Sequence, residues 1–82
     1  MTYLPIGSVV TLKDGGRPLM ITGRNQTNAA DNTFWDYSAC LYPEGVMDGD
    51  YSIFFQAENM DTVLFVGWVT NAEIQLQALL QA

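Results

Sequence analysis

The sequence predicts a mainly β, α+β domain. The expected form is a small, strongly curled antiparallel sheet of about five strands, with one C-terminal helix packed on it. Three observations carry this. From Leu4 to Gly45, short apolar runs alternate with turn signals: LPIGSVVTL, KDGGRP, LMITGR and FWDYSACLYPEG. Phe34–Tyr42 places Trp35, Tyr37, Ala39 and Leu41 on one face and a half-polar set on the other, the period of a strand with one face in a core. The closing segment NAEIQLQALLQA holds no helix breaker. An SH3-like barrel is one closure of such a sheet, and a flat α+β sandwich is the alternative.

The 82 residues make one domain, β-rich over 4–69 and helical over 71–81. Ile6–Leu12 reads as the first strand. Asp14-Gly15-Gly16 reads as a tight turn, because glycine accepts positive φ without penalty. Pro18 then opens a second strand that continues through Arg24, a first position being tolerant of a missing N–H. Asn25–Thr33 has no period and no large apolar residue, so a solvated loop is expected there. Tyr42-Pro43-Glu44-Gly45 fits a type I turn, and Asp48-Gly49 signals another. Val46 and Met47 lie between them as an exposed apolar lip. Tyr51–Phe55 is either a strand or a helical turn, ended by Glu58-Asn59-Met60-Asp61.

Thr62–Val69 is apolar on both faces: Val63 and Phe65 on one, Leu64, Val66 and Trp68 on the other. Such a strand is expected to be covered on both sides. Thr70 with Glu73 forms a capping box, flanked by Val69 and Ile74 as a hydrophobic staple. The helix that follows is expected to lie across the sheet with Leu76 and Leu79 buried.

The charge is lopsided. The net charge is −6, and Lys13, Arg17 and Arg24 are the only bases. Downstream of Arg24 there are eight acids and no base. Such a surface repels a duplex or an anionic membrane, so neither nucleic acid nor membrane is expected as a partner. MTYLPIGS has no basic segment leading an apolar stretch, so no signal peptide is expected. The longest apolar run, Val63–Val66, is far shorter than a membrane span. A cytoplasmic location follows as the expectation.

The side chains of most catalytic chemistries are missing. The chain has no His, so neither Cys40 nor Ser8 nor Ser38 has the usual activating base. Asp48 and Asp50 suggest a cation loop, but the sixth and twelfth positions counted from Asp48 are Ile53 and Asn59, not the Gly and Glu of an EF-hand. Gly15-Gly16-Arg17 precedes a strand rather than a helix and is too short for a phosphate loop. Trp35, Tyr37, Tyr42 and Trp68 are candidates for a stacking platform, with core packing as the ordinary role of large aromatics. No catalytic, metal or cofactor-binding residue is therefore assigned.

The ordered set LPIGSVV, Leu12-Lys13, GGRPLMI-x-GR, DYSACLYPEG, Tyr51-x-x-Phe54-Phe55 and Met60-Asp61-x-Val63-x-Phe65-x-Gly67 resembles the domain-of-unknown-function 4176 family over nearly the whole chain. The resemblance implies a Gram-positive source, with the gene beside those of LXG toxins exported by type VIIb secretion. It also implies a cytoplasmic accessory that binds and supports a toxin before export. The family has no established catalytic residues to carry over. The expected function is thus a non-enzymatic protein-binding accessory or chaperone for such a toxin, with a self-associating structural module as the alternative. The candidate partner contacts are Val46, Met47, Trp68, Ile74, Leu79 and Leu80.

Overall fold

The computed structural model describes residues 2–47 and 52–81. Five strands form one antiparallel sheet: β1 Val9–Leu12, β2 Gly15–Asn28, β3 Thr33–Leu41, β4 Ile53–Phe55 and β5 Met60–Phe65. Their spatial order is β4-β3-β2-β1-β5, so the sheet is open with β4 and β5 as its edges, not a closed barrel. A short 3-10 turn at Ala57–Asn59 links β4 to β5, and helix α1 spans Asn71–Leu80.

The core lies on one face of this sheet. Val10, Leu19, Ile21, Tyr37, Ala39 and Phe55 are buried there beneath Tyr3 of the N-terminal segment. Tyr37 stacks on Phe55 with ring centroids 5.1 Å apart, and Tyr3 meets Tyr37 edge-on at 5.6 Å. Aromatic pairs of this kind add about 0.5–1.5 kcal/mol each beyond their burial. The Tyr37 hydroxyl accepts the Leu4 N–H at 2.8 Å and so pins the N-terminal segment over the core. Tyr37→Phe orphans that N–H and is expected to cost about 1 kcal/mol in urea unfolding.

Several local expectations change for identifiable reasons. β1 begins at Val9 rather than Ile6 because Ile6-Gly7 forms a turn, with Gly7 at φ 89 and its N–H bonded to Ile21 O. The hairpin turn is Lys13-Asp14, with Leu12 paired to Gly15, so both glycines belong to β2. Pro18 therefore lies inside β2, where the ladder to β1 is irregular between Val10 and Leu12, a setting that tolerates proline. The turn after β3 closes from Gly45 N–H to Leu41 O at 2.8 Å, one residue wider than a type I turn, with Tyr42–Pro43 cis. The Asp48-Gly49 signal and Tyr51 lie outside the described residues.

Of the expected loop Asn25–Thr33, only Ala29–Asn32 is a turn. β2 continues to Asn28 and pairs Gln26 with Trp35, Thr27 with Phe34 and Asn28 with Thr33. This hairpin arm is held by its backbone ladder and by short polar turns. Asn28 Oδ1 accepts the Ala30 N–H and Asp31 Oδ1 accepts the Thr33 N–H, each at 3.0 Å. A strand polar on both faces leaves no apolar period to read.

The cap of α1 is made in half. Thr70 Oγ1 accepts the Glu73 N–H at 3.1 Å, as predicted. The Glu73 carboxylate does not return to the cap, because it is held by Arg24. The burial expected for the helix is also reversed. Leu79 is 73% exposed and Leu76 39% exposed. Leu80 packs against the core, and Glu73 and Gln77 are the other inward positions.

Gly67 fixes the path out of β5. A Cβ there would lie 2.2 Å from the Ile6 carbonyl oxygen, while the Gly67 N–H donates to the buried Ser8 Oγ at 2.9 Å. Gly67→Ala must move backbone, not a flexible side chain. A loss of about 2 kcal/mol is expected in denaturant unfolding, as for overpacked sites.

Candidate functional site

β5 is where sequence and structure diverge most. Its apolar residues on both faces predict a covered strand, yet Val63, Leu64, Phe65 and Val66 are all exposed. The physical reason is its place in the sheet. It pairs with β1 on one side and is the sheet edge on the other. The expected cover, α1, sits elsewhere. Phe65 is 62% exposed and Trp68, just beyond it, 86%. This apolar belt continues through Val69 to Ile74 on α1, both exposed.

The pairing of β5 with β1 breaks register twice. Val9 pairs with Phe65 but Val10 with Val63, leaving Leu64 as an extra residue; Thr11 pairs with Thr62 but Leu12 with Met60, leaving Asp61. Each bulge bends and twists the edge. The first brings Leu64 and Phe65 to one groove. That groove has a volume of about 440 Å³ and is lined by Gly7, Val9, Pro18, Met20, Tyr42, Leu64 and Phe65. It lies on the face opposite the core: Val9 pairs with Met20 and Met20 with Cys40, whereas their neighbours Val10, Leu19 and Ala39 are core residues.

A second cleft, of about 310 Å³, runs between the N-terminal segment and α1. Val66, Val69 and Ile74 line it, so the two staple residues share one cleft wall while staying exposed. Its polar floor is a knot that ties α1 down. Arg24 reaches both carboxylate oxygens of Glu73, with Nη2 2.9 Å from Oε1, and both side chains are almost fully shielded. Gln77 donates to Glu73 Oε2 and to Tyr3 O and accepts the Tyr3 N–H. The hydrogen bonds from Arg24 hold the Glu73 carboxyl below its ordinary range, against the upward pull of burial. Sequence reasoning missed this knot. Arg24 and Glu73 are 49 positions apart, and helical spacing marked Glu73 only as a capping residue.

The remaining candidates are dispersed. Val46 and Met47 are exposed after β3, as expected of a lip. Trp68, Ile74 and Leu79 are exposed, whereas Leu80 is turned in against the core. Tyr37 is a core residue and Trp35 lies against Phe54, so the four aromatics do not form one platform. Cys40 is buried and free. Arg17 is bound by Glu44, whose carboxyl is pulled low by those hydrogen bonds. Among the described residues Lys13 is then the base outside any salt bridge. No helix among them is long and apolar enough to cross a membrane, and none of them cluster as metal-ligating groups.

Searches of curated proteins and of solved structures return no match. A family model, the domain of unknown function DUF4176, matches residues 3–76. That span covers the whole sheet, the groove beside β5 and α1 as far as Leu76, and on it the chain belongs to the DUF4176 family.

Proposed function

We propose that this protein is a non-enzymatic binding module, an accessory that holds an LXG-type toxin in the cytoplasm before its export by type VIIb secretion. One observation carries the binding role: the exposed apolar side chains of Val63, Leu64, Phe65, Val66, Trp68, Val69 and Ile74, which follow one another from β5 into α1. An apolar patch spread over a sheet edge and a helix marks an interaction site far more often than a solvated face. The absence of His from the sequence, and the burial of Cys40, favour binding over nucleophilic chemistry. The toxin as partner rests on the family resemblance and on the acidic surface, which suits a cationic client.

The test is co-expression with the product of the adjacent gene. A stable complex in size-exclusion chromatography is the expected result, and a chain that ignores that product overturns the reading. Self-association is the second reading, favoured by the same apolar edge. Light scattering on the isolated chain separates the two, since a homodimer keeps twice the chain mass with no client present.

A further inference from the structure

Folded sheets cover each apolar face with a second layer. Here the chain supplies that layer on the core face through the N-terminal segment and the end of α1. On the opposite face the groove between β5 and β2 is rimmed by the exposed side chains of Tyr42, Leu64 and Phe65. Three strands at about 4.8 Å spacing put β5 and β2 roughly 10 Å apart, close to the diameter of one helix.

We infer that this groove seats the apolar face of an amphipathic α-helix, flanked by lysine or arginine, contributed by the partner protein. The inference rests on the protein-binding reading above and specifies the partner's shape and charge. Two observations choose this occupant. An added strand would need a regular ladder along the outer edge of β5, but two bulges in six residues distort it. A helix satisfies its own backbone and asks only for an apolar trough. The second observation is charge. The groove itself carries no charged side chain. Beyond it, Leu12 pairs with Met60 and the Lys13 N–H meets Asn59 O. There the exposed Asp14, Glu58 and Asp61 gather around Lys13, the base outside any salt bridge among the described residues. The basic flank of a docked helix would thus meet an acidic end of β1 and β5. A second copy of this chain would bring the same acids and the same bulged edge.

The probe is a Leu/Lys peptide of about 18 residues with helical period, long enough to hold a helix once docked. Two controls accompany it: the same residues in strict alternation, which favour an extended form, and a Leu/Glu helical twin. Titration into the isotopically labelled full chain is expected to shift the amides of Val9, Met20, Leu64 and Phe65. Leu64→Ser with Phe65→Ser should weaken binding by about tenfold or more, as loss of a central anchor does. Both controls should bind about tenfold less tightly. Failure of the helical peptide to bind, shifts confined to other residues, or equal binding of the alternating peptide overturns the inference. A client that still binds the doubly substituted chain refutes the groove while leaving the accessory reading intact. A client that ignores the unaltered chain brings down both.

Discussion

Glu73→Ala is expected to lower stability by about 3 kcal/mol and to release α1 from the domain, because it strands a shielded guanidinium without its counter-charge. Arg24 has its side chain only 6% exposed and also donates to the Leu4 carbonyl. Few other contacts hold the helix. None of its residues is fully buried, and a ten-residue helix is marginal in water by itself. Glu73→Gln keeps the shape and removes the charge, so a comparable loss there assigns the effect to the ion pair. Replacing Arg24 and Glu73 together by Met and Leu should recover much of the loss, since a shielded ion pair is costly to break but replaceable by apolar packing. Urea unfolding and far-ultraviolet circular dichroism measure both quantities. A change below about 1 kcal/mol for Glu73→Ala would show that the pair is solvent-screened and contributes no more than a surface bridge.

The same pair sets a pH dependence of known sign. Arg24 lowers the folded-state pKa of Glu73 below its unfolded value. The stabilisation is therefore complete above the unfolded value of about 4.3 and is lost as pH falls through the lower folded value. As pH falls below about 4.3, the unaltered chain should lose stability more steeply than Glu73→Gln, which has no carboxyl to titrate at that position. Parallel curves would remove Glu73 from the acid response.

Phe65→Ser combined with Trp68→Ser is expected to raise the Kd for a captured client by about 30-fold, or roughly 2 kcal/mol, as aromatic anchors at interface centres do. Both side chains are mostly solvent-exposed in the free chain, so stability should move by no more than about 0.5 kcal/mol. The combination matters because a core aromatic gives the opposite pattern. Truncating Phe55, which is 1% exposed, would unfold the chain before it informed on binding. Calorimetric titration beside a thermal melt tells the two apart. Unchanged affinity would move the interface away from β5.

Much of the architecture was legible because it is written locally. The alternation in Phe34–Tyr42 assigned Tyr37 and Ala39 to the core, and both are buried. Thr70 placed the helix start at Asn71, since a cap bond needs only residues three apart. The polar arm Gln26–Asn28 escaped notice because its ladder is made by backbone, which carries no side-chain signature. Leu76 and Leu79 were assigned inward on helical spacing, but the face that docks is chosen by Arg24 and Tyr3, far away in the chain.

What the amino-acid order determined by itself was the mainly β class with its one C-terminal helix, and the family to which the chain belongs. It also determined the lack of the histidine on which common nucleophilic sites depend. Only the tertiary structure decided which apolar residues are core and which are surface. Val63–Val66 has the composition of an interior strand, but solvent exposure depends on which neighbours a strand acquires. In the order β4-β3-β2-β1-β5, the greasiest strand falls at an edge with no layer over it, and its side chains stay open to solvent.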